Sequence, residues 1–134
     1  MRSKPEEVFA SLIKAQYEPP AVTYTASYIP DFLTPEGITV EVKEYLADGR
    51  ERKRLREVAA QYRLERKPFI VCIHYKGCNE IKPVIKASEV PNGMKGMKLA
   101  EWCELHQIPW LIFNEHTDRR LLRQCIINIS STYC

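Results

Sequence analysis

Asp31, directly preceded by Pro30, stands ten residues upstream of Glu41, and Lys43 follows two positions later. On an extended strand, residues two apart leave the same face, so Glu41 and Lys43 project together. A turn between Asp31 and Glu41 would fold the first carboxylate back beside the second. Two carboxylates and an ammonium are then expected to converge on one solvent-facing spot. Carboxylates that close repel each other, which raises the pKa of one of them. A divalent cation removes that penalty, and hard oxygen ligands suit Mg²⁺ or Mn²⁺, one ion or two. Such an ion polarises a phosphate oxygen and lowers the pKa of a bound water. The Lys43 amine can orient that water or offset charge building on the phosphate. These are the parts that phosphodiester hydrolysis needs. The plainer reading is a surface Glu41–Lys43 ion pair of little energetic worth. The strand alternation, the proline before Asp31 and a further acid on an upstream helix favour the chemical reading.

That further acid is Glu6. Ser3-Lys4-Pro5-Glu6 reads as a helix start, with Ser at the N-cap, Pro in the first turn and Glu at the capping-box position. Glu6 lies in line with Phe9 and Ile13, with Leu12 beside them, which points it inward as a fourth active-site residue, an acid. It would bind a metal directly or through water. The competing role is the capping box alone, and Glu7 is the alternative acid.

The elements that must position these groups follow from periodicity and turn chemistry. The first helix ends before Pro19-Pro20. Two β-rich stretches, 21–25 and 28–33, precede a turn at Thr34-Pro35-Glu36-Gly37. From Ile38 to Tyr45 the pattern alternates, with Ile38, Val40 and Val42 on an apolar face and Thr39, Glu41 and Lys43 on a charged one. A helix over 51–63 carries an apolar stripe of Leu55, Val58, Ala59 and Tyr62, with Arg52, Arg56 and Arg63 outward. An apolar strand over 68–74 then predicts a parallel crossover. Residues 77–96 read as a long loop. A helix over 97–106, a strand over 109–113 and a last helix over 117–129 follow, the last packing through Leu121, Leu122, Cys125 and Ile129. The fold class is therefore α/β, a mixed central sheet flanked by helices.

The chain of 134 residues suits a single domain spanning 1–134. No apolar run approaches the ~18 residues that span a bilayer. Met1 to Pro5 lacks the character of a signal peptide, so a cytoplasmic protein is expected. Net charge is only +3, but eight Lys or Arg fall between Arg50 and Lys67. A basic region beside an acidic cluster is expected where a metal site acts on a polyanion. Arg50, Arg52, Lys53 and Arg56, with Lys76, Lys82 and Lys86 further on, are the expected DNA contacts. The five cysteines are Cys72, Cys78, Cys103, Cys125 and Cys134. Cys72-x-His74-x3-Cys78 and Cys103-x2-His106 could form halves of a zinc site. Buried free thiols are the default reading.

Tyr28-Ile-Pro-Asp-Phe-Leu-Thr-Pro-Glu-Gly-Ile-Thr-Val-Glu-Val-Lys43 resembles the active-site hairpin of the phage endonuclease I family of Holliday-junction resolvases. Those are nucleases of the PD-(D/E)xK superfamily. The likeness continues in the basic helix and in Glu101-Trp-Cys-Glu-Leu-His-Gln-Ile-Pro109, covering positions 3 to 113 with gaps. It implies a restriction-endonuclease-like core and a Mg²⁺- or Mn²⁺-dependent endonuclease that cuts branched DNA as a homodimer. It also implies metal-site acids at Glu6, Asp31 and Glu41 and a catalytic lysine at Lys43. Glu44 stands where the family often has glycine. The segment between Glu6 and Asp31 is shorter than the one through which the phage subunits exchange strands. The same core serves nicking, homing and transposon-end nucleases directed by sequence or by a partner, and a DNA-binding module without activity is a third possibility.

Overall fold

The computed structural model describes residues 3–18, 29–45, 49–76, 83–94 and 96–130. Helix α1 (Lys4–Leu12) starts at a closed capping box. The Ser3 hydroxyl accepts the Glu6 N–H at 3.3 Å, and the Glu6 carboxylate accepts the Ser3 N–H at 3.0 Å. Its buried face consists of Pro5, Val8 and Phe9, continued by Ile13 just beyond the helix. Val8, not Glu6, is the inward neighbour of Phe9; at 3.6 residues per turn Glu6 falls on the edge of that face.

Strands β1 (Gln16–Tyr17) and β2 (Phe32–Leu33) lead to β3 (Thr39–Lys43). Between β2 and β3 lies the expected turn. The Gly37 N–H donates to the Thr34 carbonyl at 2.9 Å, and Gly37 takes φ +85°, a left-handed conformation that glycine adopts without a Cβ clash. The Ile38 N–H donates to the Thr34 hydroxyl at 3.1 Å. Helix α2 (Gly49–Leu64) then carries the chain to β4 (Phe69–His74).

The segment expected as a featureless loop has structure where it is described. A 3₁₀ turn spans Ala87–Glu89, and β5 (Gly93–Met94) pairs antiparallel with β6 (Met97–Lys98). The Asn92 side-chain amide donates to the carbonyls of Glu44 at 3.0 Å and His74 at 2.7 Å, tying this segment to the ends of β3 and β4. Helix α3 (Leu99–Leu105), strand β7 (Trp110–Phe113) and helix α4 (Arg119–Ser130) complete the order. The stretch expected as strand at 21–25 lies outside the described residues.

The main sheet runs β1-β2-β3-β4-β7. The β1–β2 and β2–β3 pairs are antiparallel, and the β3–β4 and β4–β7 pairs are parallel. This is an α/β fold with an open, mixed, five-stranded sheet flanked by helices. Alternation along β4 divides two cores. Phe69, Val71 and Ile73 join Leu55, Val58 and Tyr62 of α2 and Leu99, Trp102 and Cys103 of α3. Ile70 and Cys72 join Val40 and Val42 of β3, Phe9 of α1, and Leu122 and Ile126 of α4 on the opposite face. In α4 the inward residues are Leu122 and Ile126; Leu121, expected in the core, is 43% exposed.

This division corrects two expectations. Most of the charged face of β3 is closed off from solvent, with Lys43 at its end partly exposed. Thr39 and Glu41 are buried beneath α2, and the Thr39 hydroxyl lies 3.4 Å from that of Tyr62. Cys72 and Cys103 belong to different cores and cannot share a zinc ion; Cys78 lies outside the described residues. Burial pushes the Cys72 thiol well up. It also pushes Cys103 up to about 12, with help from Glu104. Among the described residues no helix is long and apolar enough to cross a membrane.

Candidate active site

Strand β3 sits inside the sheet, paired on both edges, so its side chains are fixed by two registers at once. One step beyond the Phe32↔Val40 pair, Asp31 comes opposite Glu41. Directly opposed residues on antiparallel strands share a face. Each acid accepts a backbone N–H from the opposite strand segment. The Asp31 N–H donates to Glu41 Oε1 at 3.3 Å, and Asp31 Oδ2 accepts the Val42 N–H at 2.8 Å. Lys43 Nζ lies 3.7 Å from Glu41 Oε2 and 2.9 Å from Glu51 Oε1. Asp31, Glu41 and Lys43, named from spacing alone, are therefore brought together.

They line a cleft of about 340 Å³ between the sheet and the first turns of α2. Asp31, Glu41 and Lys43 contribute from the sheet side, with Ile29. Helix α2 contributes Glu51, Arg54, Leu55 and Val58. Glu51 and Arg54 were not singled out from the sequence. The signal was present, because extending the apolar stripe back one turn from Leu55 lands on Glu51.

The electrostatics follow from the enclosure. Burial raises the Asp31 carboxyl to about 8, reinforced by the Glu41 carboxylate. The Val42 N–H and the Lys43 ammonium oppose the rise, and Glu6 adds to it. Burial pulls the Lys43 amine downward, but the Glu41, Glu51 and Asp31 carboxylates outweigh it and hold the amine above its ordinary value. The ammonium is thus charged at neutral pH, while one of the acids retains a proton.

Such a donor set suits a divalent cation, whose charge would release that proton and relieve the repulsion. Asp31 and Glu41 are the residues that would hold it. Among the described residues no group of three or more His, Cys, Asp or Glu is arranged to bind a metal ion. Two carboxylates are compatible with Mg²⁺, which usually keeps several waters and draws further oxygens from a phosphate substrate. Glu6 is near enough for Asp31 to feel its charge, and one oxygen of its carboxylate, Oε2, accepts the Ser3 N–H at 3.0 Å and the Ser3 hydroxyl at 3.1 Å.

The residues expected to meet DNA are dispersed. Arg50, Lys53 and Arg56 are exposed on α2, and Arg52 is half-buried. Arg56 lines a groove with Arg63 and His106, on the side of α2 toward α3. Lys76 is exposed and pairs with Glu44 at 3.0 Å. Lys86 lines a separate hollow with Glu101 and Glu104. Lys82 lies outside the described residues. Comparison with family models, with characterised proteins and with solved structures gives no match.

Proposed function

We propose that this chain is a Mg²⁺- or Mn²⁺-dependent DNA endonuclease that hydrolyses phosphodiester bonds in branched DNA. The observation that carries the reading is the convergence of Asp31, Glu41 and Lys43 on one cleft roofed by a basic helix. An antiparallel hairpin followed by a helix and a parallel strand also fits the restriction-endonuclease-like core implied by the resemblance of the hairpin sequence. A bound divalent ion supplies charge neutralisation at the phosphate and a water of lowered pKa. Asp31 and Glu41 hold that charge in place. Lys43, fixed at the edge of the same cleft, steadies the attacking water or the charge that develops as the phosphorus–oxygen ester bond breaks. The basic residues of α2 hold the sugar-phosphate backbone against the cleft. A junction-cutting role carries with it a homodimer, which would bring two such clefts to paired strands, and action on DNA in a host cell's cytoplasm.

The test is cleavage of a four-way junction, a flap and a linear duplex side by side, with and without divalent metal. Metal-dependent cutting of the junction or flap is expected. Glu41→Ala and Lys43→Ala should each lower the rate at least about 100-fold while leaving DNA binding near wild type. Cutting confined to a particular linear sequence would instead support a nicking, homing or transposon-end enzyme. No cutting of any substrate in either metal would leave a DNA-binding module.

A further inference from the structure

We infer that Glu51, on the first turn of α2, is the positioning residue for Lys43; this rests on the endonuclease reading of the same cleft. A lysine amine sits on a long, flexible stem and loses much rotamer freedom when held in one place. Strand β3 ends at Lys43, so the sheet fixes the backbone there but not the amine. Of the two carboxylates recorded against that amine, Glu51 is nearer, at 2.9 Å, and Glu41 lies at 3.7 Å.

The difference in distance has a chemical meaning. Glu41 already receives the Asp31 N–H on one oxygen, and its other oxygen is the one facing Lys43. If the ammonium closed fully on that oxygen, it would occupy the group that a cation needs. Glu51 draws the amine aside while keeping it within the cleft. The helix turn that carries Glu51 is itself anchored. Leu55, one turn further along α2, is buried against β4, and an acid in the first turn is favoured by the helix dipole. The helix thus delivers to the end of β3 a carboxylate nearer the amine than that of Glu41.

Four variants and three readouts test this. Single-turnover cleavage, DNA affinity and the Mg²⁺ concentration giving half-maximal rate are measured for Glu51→Ala, Glu51→Gln and the wild type, with Lys43→Ala as reference. Glu51→Ala should cut about tenfold or more slowly, bind DNA within about twofold of wild type and require more Mg²⁺. Glu51→Gln keeps an oxygen that accepts from the amine and should recover most of the rate. In a Lys43→Ala background, Glu51→Ala should add no further loss, because both act through one group. Wild-type cleavage by Glu51→Ala, an equal loss with and without Lys43, or a glutamine variant as slow as alanine would each overturn the role while leaving the endonuclease reading intact. A wild type that cuts nothing removes that reading and this role together.

Discussion

Asp31 is the residue at which stability and the proposed chemistry conflict. Its carboxyl would titrate near 3.8 in the unfolded chain and is raised to about 8 in the fold, by burial first and by Glu41 second. Between those values the folded state holds a proton that the unfolded state has released. Stability from this group is therefore complete below about pH 4 and is lost as the pH rises toward 8. Asp31→Asn removes the ionisation and keeps an oxygen for the Val42 N–H. In EDTA the variant should exceed wild type in stability by about 1–2 kcal/mol at pH 8, with the gap closing toward pH 5. That figure is well below the full span of the shift, because the cleft admits water that screens the charge. Urea denaturation at several pH values checks it. Parallel pH profiles for the two proteins would show that Asp31 is not carrying this cost.

At the scale of elements, α1 and α2 meet the site in different ways. The start of α1 is a closed capping box, so Ser3→Ala should cost about 1 kcal/mol. Glu6→Gln retains the acceptor and should change stability by less than about 0.5 kcal/mol. With one carboxylate oxygen held in the cap, the glutamine variant should also cut DNA within about tenfold of wild type; a loss of 100-fold or more would return Glu6 to the reacting set. Much of this level was legible in the sequence. Alternation over 38–45, the Pro-Glu-Gly turn and the stripe on α2 place the hairpin, the crossover and the three converging residues. The cover over β3 was not legible. Periodicity says which residues share a face, but not which later helix will lie on it, so Glu41 read as solvent-facing when α2 buries it. Two-residue strands such as β1 and the β5–β6 pair are too short for any period to register, and are held by their neighbours rather than by propensity. In α4, Leu121 and Leu122 are adjacent apolar residues; which one turns inward depends on where β7 lies.

Across the whole molecule, in the proposed endonuclease the approach of DNA falls to the basic residues of α2. Net charge is only +3, so binding must draw on local clustering rather than a global field. Reversing Arg52, Lys53 and Arg56 together should flatten the dependence of log K on log salt by about 2.7, each phosphate contact contributing ~0.9. Fluorescence anisotropy over a salt series measures the slope. An unchanged slope would take this helix out of the DNA path and leave the approach to lysines elsewhere, of which Lys76 is already paired with Glu44.

The Thr34–Gly37 turn is, in effect, a ruler. Five register pairs with β4 lock Glu41 and Lys43, while the count of residues around the bend decides whether Asp31 comes opposite Glu41. Adding or deleting one residue there would swing Asp31 through to the greasy underside of the sheet and leave Glu41 alone above it. A change of two would restore the side while moving Asp31 along the strand. Natural length variation at this bend should therefore come in even steps, and the ten-residue interval between the acids is a mechanical dimension of the molecule rather than an accident of its sequence.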